Sequence, residues 1–540
     1  MGNKKLEIFN LAKGCSLVLI YIILIVLFSF RPLSDDNEGL YADIALSMVK
    51  TSNFLIPHLD GVVYLEKPPL LYWLSALSFK LFGVFEFSAR LPVLLSGIFL
   101  IVFSYLFTKK ILDKFFASTV SLVLVSQICF DTSISMLMFD MVLTLFFSLA
   151  MFSFYVGYKF NSKYYKWFYV FLALAIFTKG FVALILACLI LVPFIFIKKI
   201  KLKDLRLLFG VLIFAVLSIW FVIVSIKVPS FFYYYFINNQ VLRFLGHMYP
   251  DDTITGPIYF YVIRLLVCDF PWSLLLIYGI YRIFRTKLYK DDFYLYMLLW
   301  FFAIFIFFSL SSGKANYYLL PAIFPIAFFA TYTVKNEKLT AFYYILLFSG
   351  LALFIGSILV KLNYVSFTNS SYVEKLPLPI LSFLIFVLYF TAFYKKKYLT
   401  EIIALSNIVI MFSIFLCFSS NVNDFSSKYA ALWLKERMKP NTILIQYRPF
   451  WRTSSSVFYL GKNTLLLDDF NDGDLYYGMT LLKNKNEKFI KQSDLHLLLN
   501  KHNIAIISSK EDIVNYLDKQ KFHYRLKRFG NKLVILINQT

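Results

Sequence analysis

The sequence has few cysteines, and none is placed to pair or to bind zinc. There are five, all within or at the edge of apolar runs, and no CxxC motif occurs. None lies in the more polar segment that ends the chain. This pattern is typical neither of a disulfide framework nor of a zinc-thiolate site. We therefore expect neither in this protein.

The sequence also lacks a glycine-rich nucleotide-binding loop and has few acidic residues. No Walker-type or Rossmann-type motif occurs, so nothing indicates a site for a soluble nucleotide. Only 16% of the residues are charged, and 31 acidic residues stand against 54 Lys and Arg, for a formal charge of +23. The basic residues form short clusters between apolar runs rather than one basic surface or arm. We therefore exclude nucleic acid as a partner.

What the chain has in excess is apolar sequence. Hydrophobic residues make up 60% of its 540 residues and aromatic residues 20%, which is far too apolar for a soluble protein. We predict a polytopic α-helical membrane protein with about thirteen transmembrane helices. The predicted spans lie at about residues 14–31, 91–108, 116–132, 138–158, 167–178, 181–197, 207–226, 258–281, 293–311, 317–334, 339–360, 376–394 and 402–419.

The basic clusters indicate how the chain is oriented. They alternate with acidic and aromatic loops, and with a cytoplasmic N-terminus all the main clusters fall on the cytoplasmic side, as the positive-inside rule requires. Residues 28–32, FSFRP, offer no small-residue cleavage site, so we expect the first span to be retained. The prediction is a multi-pass membrane protein whose unusual polar loops face away from the cytoplasm.

The composition shifts near residue 421. Charged residues become more frequent, and the apolar runs shorten to the length of strands. We therefore divide the chain into a transmembrane domain at 1–420 with outer-face loops and a small periplasmic α/β domain at 421–540. The second domain contains no recognisable catalytic constellation.

The stretch at 34–73 is the main candidate for a functional site. Asp35, Asp36 and Glu38 follow the first apolar run, and each would be costly in hydrocarbon. They belong at a membrane surface or in a wet cavity, where they could equally be helix caps in a solvated loop. Lys67 stands before two prolines and near several aromatic residues. A fixed cation of this kind suits a phosphate group, so the stretch predicts a phosphorylated substrate.

Further polar residues interrupt the apolar runs on the same predicted face. Asp140 lies near the outer end of the fourth span, where a carboxylate is either functional or the partner of a neighbouring cation. Lys179 either acts in a site or reaches the interface by snorkelling. Arg243 offers bidentate binding to phosphate. Lys314, which precedes Tyr318 by four residues, either binds a phosphate and its sugar or anchors the end of a span.

These motifs resemble the membrane glycosyltransferases that take a sugar from a polyprenyl phosphate, in particular the lipid A aminoarabinose transferases, with the protein O-mannosyltransferases as more distant relatives. Residues 37–42 read NEGLYA and residues 65–68 read LEKP, where that family reads Asp-Glu-x-Arg-Tyr-Ala and Phe-Glu-Lys-Pro. Later blocks agree, so that the resemblance covers nearly the whole chain. Two positions depart from the pattern, because the family's aspartate falls on Asn37 and its arginine on Leu40. An acid function must therefore move to Asp36 or be absent.

The resemblance implies an enzyme of the GT-C type that moves a sugar, in particular an amino sugar, from undecaprenyl or another polyprenyl phosphate to lipid A. Its candidate catalytic residues are Asp36, Glu38 and Asp140. The candidates for binding the phosphate and the sugar are Asn37, Lys67, Arg243, Lys314 and Tyr318. Some relatives place a divalent cation at the position of Glu66, but a family histidine is replaced here by Gln240, so a metal cofactor stays open. The alternatives are transfer to a protein hydroxyl and, in another class, a transporter or lipid flippase.

Overall fold

The computed structural model describes residues 2–251, 254–362, 377–469, 473–485, 488–499 and 501–537. Its first part is helical, and a helix covers most of each of the thirteen predicted apolar runs. The helices before the outer loop at 228–259 are α1 (Gly2–Phe28), α2 (Asn37–Thr51), α3 (Leu70–Phe82), α4 (Glu86–Ile111), α5 (Lys114–Val125), α6 (Ile128–Ile134), α7 (Phe139–Lys159), α8 (Tyr165–Lys179), α9 (Val182–Ile197) and α10 (Leu207–Lys227).

A short α11 (Arg243–Leu245) lies in the outer loop, directly after a π-helix at Tyr233–Leu242. The helices that follow are α12 (Phe260–Cys268), α13 (Trp272–Arg285), α14 (Asp292–Leu310), α15 (Ile323–Asn336), α16 (Thr340–Lys361), α17 (Leu378–Tyr394) and α18 (Leu399–Ser420). Side-chain caps fix two helix starts next to basic clusters. Asp113 accepts from the N–H groups of Phe115 and Phe116, and Asp291 does the same for α14.

Six of the described helices are long and apolar enough to cross a membrane, and the number rises to eight if each of two bent pairs is one span. The helices α5 and α6 meet at an angle of 68°, and α12 and α13 at 115°. The predicted spans at 116–132 and 258–281 are therefore each broken rather than straight. The break between α12 and α13 falls at Asp269-Phe270-Pro271, where proline removes a backbone donor and disfavours a continuous helix.

The last long apolar helix ends at Ser420, and a six-stranded sheet follows in the described part of the chain. Its strands run in the order β5 (Phe489–Ile490), β4 (Leu465–Leu467), β3 (Ile443–Tyr447), β6 (Ile504–Ser508), β8 (Lys532–Ile537) and β7 (Arg525–Phe529). The first four are parallel, whereas β8 is antiparallel to β6 and β7 is antiparallel to β8. Every residue of β6 and β8 is buried, as expected for central strands covered on both faces. The small strands β1 (His58–Leu59) and β2 (Val62–Val63) form a hairpin in the outer loop after α2.

Buried carboxylates attach this sheet domain to the outer loops of the helical part. The Asp35 carboxylate accepts from the hydroxyl groups of Ser427 and Ser455 and lies 3.0 Å from the Lys532 ammonium group. Asp60 lies 2.5 Å from the ammonium group of Lys488. Charges buried in such pairs fix one relative arrangement, because a displaced domain would leave them without partners. The candidate site lies at this junction.

Candidate active site

The chain places Asp36 and Asn37 where the first outer loop enters α2. Asp36 precedes the helix with a φ of 68°, a conformation that is strained for a residue other than glycine. Its backbone N–H donates to the carbonyl of Trp451 at 2.8 Å, which holds it in place. The Asn37 amide donates to the Asp36 carboxylate at 2.8 Å and accepts from the Tyr41 hydroxyl at 3.0 Å. The Asn37 side chain thus orients the Asp36 carboxylate.

The Asp36 side chain keeps contact with solvent, but its surroundings change its acidity. Burial of the carboxyl group raises its pKa to about 6, the hydrogen bond from Asn37 lowers it, and the nearby Asp35 raises it again. A carboxylate with a pKa near the working pH can accept a proton as a general base. It can also pair with an ammonium group of a substrate.

Glu38 lies beside Asp36 in sequence but has a different environment. Its carboxylate is fully buried and lies 2.7 Å from both the Arg31 and the Arg90 guanidinium groups. It also accepts from the backbone N–H of Leu137 at 2.9 Å and from the Ser34 hydroxyl at 2.8 Å. Although burial alone would raise the pKa of Glu38, the two arginines hold it well below its usual value. Through these contacts the Glu38 carboxylate joins α2 to the segment after α1, to α4 and to the loop before α7. Because all these groups bind the carboxylate, we assign Glu38 a positioning role rather than contact with a substrate.

Glu66 and Lys67 form the second part of the site. The Glu66 carboxylate accepts from the hydroxyl groups of Tyr64 at 3.2 Å and Tyr234 at 3.4 Å. It lies 3.6 Å from the Lys67 ammonium group, which is too long for a hydrogen bond. Burial lowers the pKa of Lys67, Glu66 raises it, and the nearby Arg243 and Lys179 lower it further. Lys67 therefore lies close enough to Lys179 and to Arg243 for their charges to repel its ammonium group.

Asp140 and Lys179 complete this cluster from α7 and α8. The Lys179 ammonium group lies 2.5 Å from the Asp140 carboxylate, and both side chains are largely buried. It also lies 5.1 Å from the ring centroid of Tyr317 and 4.7 Å from that of Tyr318, within the range of a cation–π contact. The Asp140 carboxylate thus has the neighbouring cation that its position required. Tyr318 reaches the site through this contact with Lys179.

The tyrosine loop also connects the two ends of the site. Burial raises the pKa of Tyr317, the carboxylates of Asp140 and Asp36 raise it further, and Arg243 lowers it. The Tyr317 hydroxyl group therefore experiences the charges of Asp140, Asp36 and Arg243. Asp36, Asp140 and Arg243 all act electrostatically on Tyr317, and Arg243 also acts on Lys67, although these residues come from separate segments of the chain.

Arg243 begins α11 directly after the π-helix, and its side chain is half-buried. Runs of π-helix are rare and occur mostly at functional sites. The same π-helix carries Tyr234, which contacts Glu66, and Tyr235, whose hydroxyl approaches Gly180. A single irregular element thus aligns an arginine and two tyrosines with the Lys67 and Lys179 segments.

Lys314 lies on the same loop as Tyr318 but has another role in this structure. Its ammonium group donates to the carbonyls of Phe308 at 3.0 Å and Ser309 at 2.8 Å, at the C-terminal end of α14, and lies 5.4 Å from the Tyr261 ring centroid. A cation at this end of a helix is stabilised by the unpaired carbonyls there. The structure therefore does not direct the Lys314 ammonium group toward Lys67 and Arg243.

Several buried side-chain polar atoms on α3 and on the π-helix have no hydrogen-bond partner within the described residues. They include the hydroxyl groups of Tyr72 and Tyr235 and both amide atoms of Asn239. Buried polar atoms are nearly always paired in folded proteins, with a ligand or water where the chain offers no partner. Their position on the π-helix and on α3 fits a polar substrate, such as a sugar, beside the cation cluster.

The sheet domain contributes to the site in a way that sequence reasoning missed. A helix at Gly473–Thr480, between β4 and β5, places the Tyr477 ring against that of Tyr234, stacked at a centroid distance of 3.8 Å. Burial raises the pKa of Tyr64, and the carboxylates of Glu66 and Asp474 raise it further, so Asp474 faces the same group of tyrosines. The only signal in the sequence was the pair Tyr476-Tyr477, which does not stand out in a chain with 38 tyrosines.

The residues around Glu66 do not fit a divalent cation. Within the described ranges, no group of three or more His, Cys, Asp or Glu side chains could hold a metal ion. The Lys67 ammonium group lies 3.6 Å from the Glu66 carboxylate, and its positive charge would repel a metal ion. The family's histidine is Gln240 here, as the sequence showed. No step of the chemistry below is therefore assigned to a metal.

The fold defines the class of protein first. It is a polytopic helical membrane protein with a small α/β sheet domain after its last long helix. A crystal structure of ArnT from Cupriavidus metallidurans bound to undecaprenyl phosphate matches it with a TM-score of 0.83 at 18% sequence identity, covering 98% of this chain and 97% of that one. Residues 66–223 match the model of the dolichyl-phosphate-mannose-protein mannosyltransferase family.

Relatives identified by sequence are more specific. The chain is 27% identical to the undecaprenyl phosphate-alpha-4-amino-4-deoxy-L-arabinose arabinosyl transferase of Wigglesworthia glossinidia brevipalpis, over 93% of this chain and 91% of that protein. It is 27% identical to arabinosyl transferase 2 of the same description from Proteus mirabilis, over 65% of this chain. That alignment spans 66% of the Proteus protein, just under two thirds of its length. The resemblance to polyprenyl-phosphate-sugar transferases of this type, expected from the motifs, is confirmed.

Proposed function

We propose that the chain is an integral membrane glycosyltransferase that moves an amino sugar from a polyprenyl phosphate to lipid A. The names of its relatives support the arabinosyl donor, and the matching fold comes from a protein bound to undecaprenyl phosphate. The proposed partners are therefore a polyprenyl-phosphate-linked sugar, lipid A and the surrounding membrane lipid.

The observation that carries the proposal is the convergence of Lys67, Lys179 and Arg243. Lysine and arginine side chains that crowd together repel one another, and the two neighbouring cations lower the pKa of Lys67. The Lys179 ammonium group lies 2.5 Å from the Asp140 carboxylate, and the Lys67 ammonium group lies 3.6 Å from the Glu66 carboxylate. An anion placed among the three would relieve the repulsion. The phosphodiester of the donor, which becomes a phosphate monoester when the sugar leaves, suits both the lysines and the planar arginine.

The reaction follows from this placement. The bond between the anomeric carbon of the sugar and the donor phosphate oxygen breaks, and the electron pair leaves with the polyprenyl phosphate. Lys67, Arg243 and Lys179 stabilise the negative charge that develops on that phosphate, and they are already in place when the charge forms. An oxygen of the acceptor forms the new bond to the anomeric carbon. If the acceptor is a lipid A phosphate, it arrives ionised and no proton has to be removed.

The two carboxylates at the site then have separate roles. Asp36 is solvent-accessible and titrates near pH 6, so it suits an ammonium group of the sugar or, for a hydroxyl acceptor, the role of general base. Asp140 is paired with Lys179 and holds that cation against Tyr317 and Tyr318. Asn37 orients Asp36, Glu38 positions the loop, and Lys314 holds the end of α14. The Asn239 amide and the Tyr235 hydroxyl, which lack partners within the described residues, are our candidates for hydrogen bonds with sugar hydroxyl groups.

The proposal includes an orientation. Thirteen crossings with a cytoplasmic N-terminus put the cation cluster and the sheet domain on the periplasmic side of a bacterial inner membrane. Asp113 and Asp291 cap the starts of α5 and α14 next to basic clusters. In the proposed orientation these helix starts lie on the cytoplasmic side, where basic residues are expected. A lipid-linked donor fits this side of the membrane, because cytoplasmic nucleotide sugars do not reach it.

Transfer to a protein hydroxyl is the second candidate, favoured by the match to the mannosyltransferase model over residues 66–223 and by the solvent-accessible Asp36. Mass spectrometry of lipid A and of periplasmic glycoproteins, from cells with and without the gene, separates the two. We expect lipid A to lose an amino-sugar substituent when the gene is deleted and to regain it on complementation. Unchanged lipid A together with a glycoprotein that loses its sugar would overturn the lipid A assignment.

A further inference from the structure

A second group of cations lies at the opposite end of α8 and α10 from the candidate active site. A crevice of about 520 Å³ opens there between the start of α8 and the start of α10. It is lined by Lys166, Lys203 and Arg206 together with Leu202, Leu207, Leu208, Phe209 and Leu212. Its lining thus combines three positive charges with apolar side chains, and no acidic side chain contributes to it.

The cations of this crevice are poorly neutralised by the described part of the chain. The Arg206 Nε atom is buried without a hydrogen-bond partner. The Lys166 ammonium group lies 5.3 Å from the Phe209 ring centroid, a contact that leaves its N–H donors available. Asp204 is the single acid among the five cations of residues 198–206, and its side chain is exposed. The charge of the crevice therefore calls for an anionic ligand.

The apolar part of the crevice continues along the helix toward the membrane interior. On α10, Leu208 is 74% exposed, Leu212 57% and Val216 67%, so this helix presents a long apolar face at the edge of the helical part. Trp167, at the start of α8, is exposed beside the crevice, and tryptophan is enriched at the level of lipid headgroups. The ligand must therefore be anionic at one end and apolar along the rest.

We propose that this crevice binds the headgroup of an anionic phospholipid, with its acyl chains along the exposed face of α10. Basic pockets between transmembrane helices favour such headgroups because each lysine or arginine near the surface attracts the phosphate. Lys166 and Lys179 are separated along α8 by about 20 Å at the rise of an α-helix, so this site is distinct from the cation cluster that faces the donor. The proposal does not depend on the proposed function. The orientation of the chain decides only which leaflet of the membrane supplies the lipid.

The test measures phospholipid binding by the full chain in detergent, by native mass spectrometry and by thermal shift. The probes are phosphatidylglycerol and, for comparison, phosphatidylcholine of the same chain length. The variant carries Lys166→Gln, Lys203→Gln and Arg206→Gln. The matched control carries Lys109→Gln, Lys110→Gln and Lys114→Gln, which removes the same charge from another basic cluster predicted to lie on the same face.

We expect the wild-type protein to bind phosphatidylglycerol more tightly than phosphatidylcholine and to be thermally stabilised by it. The crevice variant should bind phosphatidylglycerol at least about tenfold more weakly, whereas the control variant should stay close to the wild type. Soluble glycerophosphate should not replace the lipid, because it lacks acyl chains. Equal binding by the wild type and the crevice variant, or equal loss in both variants, would overturn the proposal, as would equal binding of the two phospholipids.

Discussion

At the scale of single residues, neighbouring acids in one loop serve different purposes. Asp35, Asp36 and Glu38 are nearly adjacent, yet their carboxylates meet the sheet domain, the solvent and two buried arginines respectively. Sequence alone could identify the loop as unusual, because carboxylates are costly in hydrocarbon. It could not divide the roles, since each partner comes from a distant segment of the chain.

The acidity of Asp36 gives a prediction for activity. Because burial raises its pKa to about 6, Asp36 is ionised above that pH and protonated below it. If transfer needs the carboxylate, activity should fall as the pH drops through about 6, and this acidic limb should disappear in Asp36→Asn together with most of the activity. The measurement is the transfer rate against pH for the wild type and for Asp36→Asn. Asn37→Ala, a change at the adjacent residue, should reduce the transfer rate less.

The double change Asp36→Asn with Asn37→Asp extends this test. It returns the acid to the position that the family pattern gives it, and it should restore part of the activity if only the location of the acid matters. Full activity in Asp36→Asn alone would show that no acid is needed at this end of the site. That result would favour an acceptor that arrives already ionised.

Glu38 gives a prediction for stability. The change Glu38→Gln leaves the Arg31 and Arg90 guanidinium groups buried without a countercharge, and breaking a buried ion pair in this way costs about 3 to 5 kcal/mol. We expect a large loss of folded protein and of thermal stability in detergent. Glu86→Gln is the matched control, because the pair between Glu86 and Lys428 is more exposed. Comparable stability of the two variants would contradict the positioning role.

At the scale of secondary-structure elements, α2 is packed directly against the sheet domain. A Cβ atom at Gly39 would lie 2.3 Å from the Cα atom of Ser455, closer than real contacts allow. We expect Gly39→Ala to separate the two parts or to strain the loop, at a cost of about 1 to 3 kcal/mol. Gly356→Ala is the control, because nothing lies within 4 Å of its Cβ position. Thermal unfolding and protease sensitivity of the two variants measure the difference, and equal behaviour would contradict the close contact.

The elements also show what the sequence could and could not predict. Apolar runs long enough to cross a membrane located α4, α7, α10 and α14 to within a few residues, because length and hydropathy decide such helices. The break between α12 and α13 was missed, although Pro271 lies within it. The π-helix at Tyr233–Leu242 has no sequence signature that differs from an aromatic-rich helix. Its geometry depends on contacts with the rest of the fold.

The same holds for the site. Lys67, Arg243 and Asp140 were predicted from their residue types and from the resemblance, and the structure brings them together. Lys314 was predicted to bind phosphate, but its ammonium group meets the carbonyls that end α14, and no pattern distinguishes a helix-capping lysine from a phosphate ligand. Asp474 was not predicted, because its approach to the tyrosines depends on the docking of the sheet domain.

At the scale of the whole molecule, the orientation in the membrane can be tested directly. The alternation of basic clusters predicts that a reporter fused after Asn421 lies outside the cytoplasm, and that a cysteine placed at Asn53 is labelled from the periplasm. Asn53 is half-buried on the loop after α2, where its side-chain oxygen accepts from the backbone N–H groups of Leu55 and Ile56. A cysteine at Lys199, in the opposite basic cluster, serves as the control. Labelling of the Asn53 and Asn421 sites from the cytoplasm alone would contradict the arrangement.

The central claim, that the cation cluster holds the phosphate of a lipid-linked sugar, can be tested with the purified protein. The measurement is transfer of 4-amino-4-deoxy-L-arabinose from undecaprenyl phosphate to lipid A in lipid nanodiscs, followed by mass spectrometry of the product. The account predicts transfer by the wild type and a loss of at least about tenfold in Lys67→Ala and in Arg243→Ala, since a charge-assisted contact contributes about 1.5 to 3 kcal/mol. Lys80→Ala, an exposed lysine on α3, should keep full activity. No transfer by the folded wild type, or near-normal transfer by both cluster variants at matched amounts of protein, would contradict the account.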